Sequence, residues 1–271
     1  MKYVSGYSIW LVLFFIVPVL IVLSFSFMEK STYGGVEFSF SLEGYKSLFS
    51  IGYLKILWRS IWISLVATLL TILLALPVAY YIANSKIKDL LLLLVVIPFW
   101  TNSLIRIYAW IFVLGNNGII NQLLRKIGLV NDYIQFLYNP YAVILVIVYT
   151  YLPYAIIPLF ASIDRLEKSI LEAAFDLGCN KTKAFFKVLI PNIKSGLITA
   201  TLFVFIPALG SYAIPDLVGG VNSKMIGNEI VRQLTVAKNW PAASAISSIL
   251  TLATLIGVLL FVKSTQKEVH T

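Results

Sequence analysis

Few side chains in this sequence could do covalent or metal chemistry. There is one histidine, His270, second from the end, and one cysteine, Cys179. A metal centre or a Ser–His relay needs several such groups held together, so neither a catalytic residue nor a metal or cofactor site is expected. A lone thiol forms no internal disulfide. No G-x-x-x-x-G-K-[ST] phosphate loop occurs, so the chain is not expected to be an enzyme that hydrolyses nucleotide itself. The polar groups that stand out lie inside apolar runs. Pro98-Phe99-Trp100-Thr101-Asn102-Ser103-Leu104-Ile105-Arg106-Ile107-Tyr108-Ala109-Trp110 sets Asn102 and Arg106 where polar groups normally turn toward a bundle interior or a cavity. Pro98 removes a helical donor and predicts a break. For Arg106 two readings stand, pairing with a backbone carbonyl or with an acid on a partner helix, and a direct pore role; Trp110 reads as an interface anchor. Of the twelve acids, eleven fall in loops or at span edges. Only Asp216, beside Pro215, stands where a broken helix ends; an exposed loop carboxylate is the plainer alternative for it.

The densest charge lies between Ile163 and Lys194, with six basic residues and four acids. Ile163, Leu166, Ile170, Ala173, Ala174 and Leu177 recur at helical spacing and predict one amphipathic helix. Glu167, Lys168, Glu172 and Asp176 fall mostly on its other side. Gly178 follows where a helix needs a residue tolerant of positive φ, so it reads as the stop. Asn180 is placed to cap a second short helix through Val188, with Ala184, Phe185 and Val188 as its apolar side. A solvated loop between two membrane spans is the plain reading of the whole segment.

The elements that must carry these residues are set by composition. The 271 residues are 59% hydrophobic and 12% charged, with mean hydropathy +0.90. Soluble domains carry roughly twice that charge fraction. Long apolar runs between short polar stretches therefore predict an all-α, polytopic helical membrane protein. Six transmembrane helices are expected, at roughly 8–28, 58–83, 89–114, 140–162, 195–217 and 241–263, forming a single membrane domain over 1–271. The first is read as an uncleaved span, because its apolar run is long and no small-residue cleavage site follows. Pro153 and Pro158 predict kinks in the fourth span, while Pro207, Gly210 and Pro215 interrupt the fifth. A short interfacial helix is expected around Ile119–Ile127. With the N-terminus inside, inner segments hold eleven basic residues (Lys2, Lys263 and Lys267 among them) and outer loops eight, so both termini are expected in the cytoplasm. The net charge of +9 is scattered over many loops, which suits anionic lipid better than nucleic acid.

The spacing Glu172-Ala173-Ala174, Gly178, then Val188-Leu189-Ile190-Pro191 resembles the EAA loop of ABC-importer permeases: EAA, three residues, Gly, nine residues, I-x-L-P. Val188 and Ile190 depart from that pattern but keep its apolar character. The resemblance implies the type I ABC importer permease fold. It implies too that Glu172, Ala173, Ala174, Asp176 and Gly178 belong to a cytoplasmic coupling loop, 163–194, docking on a cytosolic ATPase.

A narrower resemblance, over about residues 95–245, is to PotB-type permeases of spermidine/putrescine importers. It is carried by the Pro98–Arg106 run, Ile206-Pro207-Ala208-Leu209-Gly210, Asp216-Leu217-Val218-Gly219-Gly220, Ile226-Gly227-Asn228-Glu229-Ile230 and Asn239-Trp240-Pro241. It implies a second homologous permease subunit, an ABC ATPase dimer, an extracytoplasmic substrate-binding protein, a polyamine solute and the bacterial cytoplasmic (inner) membrane. For such a solute Trp100, Asn102, Tyr108 and Asp216 are the path candidates. An aromatic face offers a cation roughly 0.5–2 kcal/mol, and Trp100 and Tyr108, at i and i+8, would share a helical face. Ferric ion and thiamine are alternative solutes. A self-contained secondary carrier is less favoured, because it needs buried titratable groups in its path and Asp216 alone offers one.

Overall fold

The computed structural model describes residues 10–269, by backbone alone at position 168 and over 260–269. Lys2, His270 and the start of the expected span 8–28 lie outside the described residues, and so do the side chains of Lys263 and Lys267. Helix dominates, as it must where no water is present to pair backbone groups. In order the elements are α1 (Val12–Phe25), β1 (Met28–Lys30), β2 (Val36–Phe40), α2 (Glu43–Leu48), α3 (Ile51–Ala83), α4 (Lys88–Val96) and α5 (Ser103–Leu114). Then come α6 (Ile119–Lys126), α7 (Pro140–Asp164), α8 (Lys168–Asp176), α9 (Lys181–Asn192), α10 (Lys194–Leu209), α11 (Ala213–Val218), α12 (Ile226–Thr235) and α13 (Trp240–Val269).

Among the described residues, four segments are long and apolar enough to cross a membrane: Ile51–Ala83, Ser103–Lys126, Pro140–Asp164 and Trp240–Leu259. The pair α9 and α10, bent by 73°, adds a fifth if taken together, and Val12–Phe25 is a shorter apolar helix. The stretch 89–114 is not one helix. A 3-10 turn, Ile97–Trp100, and an extended Thr101 separate α4 from α5. The expected fifth span divides likewise, with α10 ending at Leu209 and α11 beginning at Ala213.

The chain divides into two compact units. One joins the chain up to Arg59 with Met225–Lys263. It holds the antiparallel pair β1–β2, in register Glu29 to Glu37 and Lys30 to Val36. Gly34 and Gly35, at φ +93° and +91°, turn the hairpin, a backbone shape that costs glycine nothing. The Gly35 amide donates to the Lys238 carbonyl at 3.1 Å, and Ser26 Oγ bonds Tyr45 Oη at 2.8 Å.

The other unit spans Ser60–Lys224 with the far C-terminus. Its core joins α3 (Ala75, Leu76, Ala79, Ile82), α7 (Ala155, Ile156, Leu159, Ile163) and the α9–α10 corner (Leu189, Ile193, Ala200, Val204). Lipid tails are as apolar as these side chains, so the hydrophobic effect alone does not hold such helices together. Close approach through small residues does. Gly196 on α10 is the tightest case: a Cβ there would lie 2.4 Å from Ser162 Cβ on α7. Thr68 and Thr71 donate to the Ser64 and Ala67 carbonyls at 2.7 Å, burying their hydroxyls without an orphaned donor.

Gly196→Ala should therefore overpack α7 against α10 and lower stability by about 1–3 kcal/mol. Gly257→Ala on α13, where an added Cβ meets nothing within 4 Å, should be neutral or gain up to about 1 kcal/mol of helix propensity. Thermal unfolding of both variants in one detergent checks the contrast.

Candidate functional site

The segment with the EAA spacing is built on a fixed corner. The helix expected from Ile163 to Leu177 is in fact two. Ile163, buried in the core, belongs to the end of α7; the chain turns through Arg165–Glu167, and α8 starts at Lys168. Lys88 Nζ donates to both Asp164 carboxylate oxygens, at 2.8 and 3.0 Å, tying the start of α4 to the end of α7. The hydrogen bond to Asp164 raises the Lys88 pKa above its ordinary value.

The far end of α8 closes in a Schellman turn. Gly178 sits at φ +82°, its amide donates to the Phe175 carbonyl at 2.9 Å, and the Cys179 amide donates to the Ala174 carbonyl at 3.0 Å. Asn180 then caps α9, accepting from the Lys183 amide at 2.8 Å. Among the described side chains of α8 only Ala174 is buried. Glu172, Ala173, Asp176 and Gly178 are exposed. Ile170, Phe175 and Leu177 are exposed as well, Leu177 at 86%. The single apolar face expected from Ile163 to Leu177 is therefore divided, because the turn at Arg165–Glu167 resets the phase.

The second set lies about the break before α5. Asn102 Oδ1 accepts the Leu104 amide at 2.8 Å, so this side chain is the N-cap of α5. Arg106 folds back across the same break. Its Nη1 donates to the Pro98 carbonyl at 3.3 Å and its guanidinium lies 4.6 Å from the Phe99 ring centroid. Thr101 Oγ1 donates to the same carbonyl at 2.6 Å. Of the two readings open for Arg106, the structure shows the carbonyl pairing. Trp100 is 78% and Tyr108 57% exposed, but the extended Thr101 stands between them, so they share no helical face. Asp216 is exposed in the first turn of α11, which packs against α5 and α7. The helices bearing Tyr108 and Asp216 are thus neighbours.

One acid that sequence reasoning placed in a loop is buried. Glu229, 7% exposed, lies on α12. Arg232 Nε donates to its Oε2 at 2.8 Å and Arg232 Nη2 to its Oε1. Gln233 Nε2 donates to the same Oε1 at 2.9 Å and to Tyr53 Oη at 2.6 Å. Burial by itself raises the Glu229 pKa, but the hydrogen bonds from Arg232, Gln233 and Tyr53 outweigh it and hold the carboxyl below its ordinary 4.5. The i, i+3 and i, i+4 spacing of Glu229, Arg232 and Gln233 was the available signal.

A helical chain with broken apolar spans, and an exposed short helix carried between two of them, has the character of an integral membrane component. The chain belongs to the family described as binding-protein-dependent transport system inner membrane component, which matches residues 67–263. It is 39% identical over 255 residues to the spermidine/putrescine transport system permease protein PotB of Haemophilus influenzae, covering 93% of this chain and 88% of that one. To its Escherichia coli counterpart it is 38% identical, covering 93% and 92%. The fold also matches a bacterial ABC transporter involved in the import of the acidic polysaccharide alginate. There the TM-score is 0.78 at 16% identity, over 98% of this chain and 94% of the other.

The Glu229 cluster has a testable pH dependence. Its folded pKa is depressed, so its contribution is present above the ordinary carboxyl pKa of 4.5 and lost as pH falls through the folded value. Glu229→Gln should lower thermal stability at neutral pH by about 1 kcal/mol, since Arg232 is half exposed and the pair is screened. It should also flatten the loss that the wild type shows below its ordinary pKa. Melting curves of both proteins between neutral and acid pH measure it.

Proposed function

We propose that this chain is the non-catalytic permease subunit of an ATP-driven importer of polyamines. It would form half of the translocation path beside a second, homologous permease. A dimer of cytosolic ATPases supplies the energy, and an extracytoplasmic binding protein delivers the solute. The observation that carries the coupling half is α8. It is a short helix that carries, with Leu177 just after it, three exposed apolar side chains, pinned by Lys88–Asp164 before it and by the Gly178 turn after it. Such an edge suits a groove on a soluble partner, where burying Ile170, Phe175 and Leu177 would be favourable. The polyamine half is supported by the identity to the spermidine/putrescine permeases along nearly the whole chain. No residue described above favours ferric ion or thiamine.

In this reading the chain is one membrane domain crossing six times, with both termini and α8 on the cytoplasmic side. ATP-driven closure of the ATPase dimer displaces α8. The displacement passes to α7 and α10, which reorient the path between outside and inside. Trp100 and Tyr108 offer exposed aromatic faces to a polyammonium chain, and Asp216 draws its leading charge. Asn102 acts indirectly, by fixing the start of α5.

Gly178→Val places a β-branched side chain at positive φ, where the Cβ meets no neighbour but the backbone is strained. Glu172→Lys reverses an exposed charge on the docking edge. Both variants should reach wild-type abundance in the membrane and lose transport with ATPase stimulation; wild-type uptake by either one sinks the coupling assignment.

Asp216→Asn should reduce spermidine uptake in reconstituted vesicles about tenfold, equivalent to about 1.4 kcal/mol. Trp100→Ala should slow uptake while leaving part of the substrate-stimulated ATPase activity. If both transport spermidine at the wild-type rate, the path lies in the partner permease.

A further inference from the structure

A polar cavity of roughly 400 Å³ opens between the end of α7 and the start of α10. Its polar lining is Ser162, Arg165, Asn192, Ser195 and Thr199, and it contains no carboxylate. Two of these groups are already committed to the backbone: Thr199 Oγ1 donates to the Ser195 carbonyl at 2.8 Å and Asn192 Nδ2 to the Val188 carbonyl at 2.7 Å. The Arg165 guanidinium and the Ser162 and Ser195 hydroxyls have no hydrogen-bond or ionic partner among the described residues. The acid best placed by sequence to neutralise Arg165 is its neighbour Asp164, and Lys88 holds both oxygens of that carboxylate. Glu167, two residues on, accepts from Ser169 Oγ. The cavity therefore presents one uncompensated cation and two free hydroxyl donors beside the first turn of a sixteen-residue helix, a donor set for an anion with several oxygens.

The surface that continues from the cavity narrows the choice of anion. One turn along α7 from Pro158, Tyr154 is 45% exposed, with Ile157 next to it at 46%. One turn along α10 from Thr199, Phe203 is 55% exposed. A polar head site thus runs into an apolar strip on the same two helices. A free phosphate would use only the first; an amphiphile with a phosphate head and an acyl tail would use both.

We propose that this cavity binds the phosphate of an anionic membrane lipid, with Arg165 as the charged contact, Ser162 and Ser195 as hydroxyl donors, and the acyl chain lying along Ile157 and Phe203. The full chain, purified in detergent and stripped of lipid, is incubated with phosphatidylglycerol or with phosphatidylcholine and read by native mass spectrometry, which reports the integrity of the protein in the same spectrum. Wild type should retain phosphatidylglycerol in preference to phosphatidylcholine. Arg165→Gln should lower the phosphatidylglycerol retained roughly fivefold, the effect of one basic residue at an anionic headgroup, and leave phosphatidylcholine unchanged. Arg165→Lys, which keeps the charge but loses the fork, should fall between them. Three results overturn the proposal: equal phosphatidylglycerol retention by wild type and Arg165→Gln; displacement of the lipid by millimolar inorganic phosphate, which assigns the site to a free anion; or displacement by spermidine, which assigns it to the cation path. None of these readings depends on the polyamine assignment or on the ATPase, so the outcome is separable from both.

Discussion

Backbone pairing is the constraint on which the rest of this structure depends. In hydrocarbon an unpaired amide or carbonyl is expensive, so a helix can be interrupted only where side chains or a neighbouring turn take over its partners. At the first break, Pro98 leaves a carbonyl that receives both Thr101 Oγ1 and Arg106 Nη1, while Asn102 covers an amide at the start of α5. At the second, the Gly210 and Ser211 amides turn back onto the Ile206 and Ala208 carbonyls, and Tyr151 Oη reaches the Pro207 carbonyl at 3.3 Å. At the α8 corner the Schellman bonds do the same for Ala174 and Phe175. Most of the polar residues that look functional in sequence are thus first of all the means by which an apolar chain is allowed to bend.

The core below α8 gives the corner its stiffness. Ile163, Leu189, Ile193 and Ala200 are all buried, and Gly196 lets α10 approach α7 with no room for a methyl group. Close-packed interiors yield little, so a push on α8 is carried into α7 and α10 rather than absorbed locally. In the proposed reading this is why the EAA spacing sets a glycine just after α8. The Schellman turn fixes the angle at which α8 leaves α9, and only a residue at ease with positive φ holds that angle without strain.

The legible parts of the sequence were those with a local cause. Gly178 as a helix stop, Asn180 as a cap and a short helix at Ile119–Lys126 follow from a few neighbouring residues, and the structure shows each. The hairpin at Met28–Phe40 had a local signal too, the alternation Val36-Glu37-Phe38-Ser39-Phe40 behind Gly34-Gly35, but it was lost in a chain read as all-helical. Two features had no local cause. The turn at Arg165–Glu167 arises because Ile163 is held in the core while α8 must leave it, and periodicity carries smoothly across both. The buried Glu229–Gln233 cluster is completed by Tyr53, 180 positions before Gln233. A carboxylate in a polar-looking stretch gives no sign of such a partner.

The same argument bears on how a chain proposed to pass polyamines tolerates a cation at membrane depth. An Arg106 free to point into the path would repel the solute, and by Coulomb's law the repulsion grows as water is excluded. Here the guanidinium lies over the Phe99 ring and donates to a carbonyl that the Pro98 break exposes, so its charge is met by a ring face and a backbone dipole on its own segment. Trp100 within that break and Tyr108 beyond it keep their rings exposed. The break thus does two things together: it gives the arginine a local partner, and it takes Trp100 and Tyr108 off the single face that an unbroken helix would have given them.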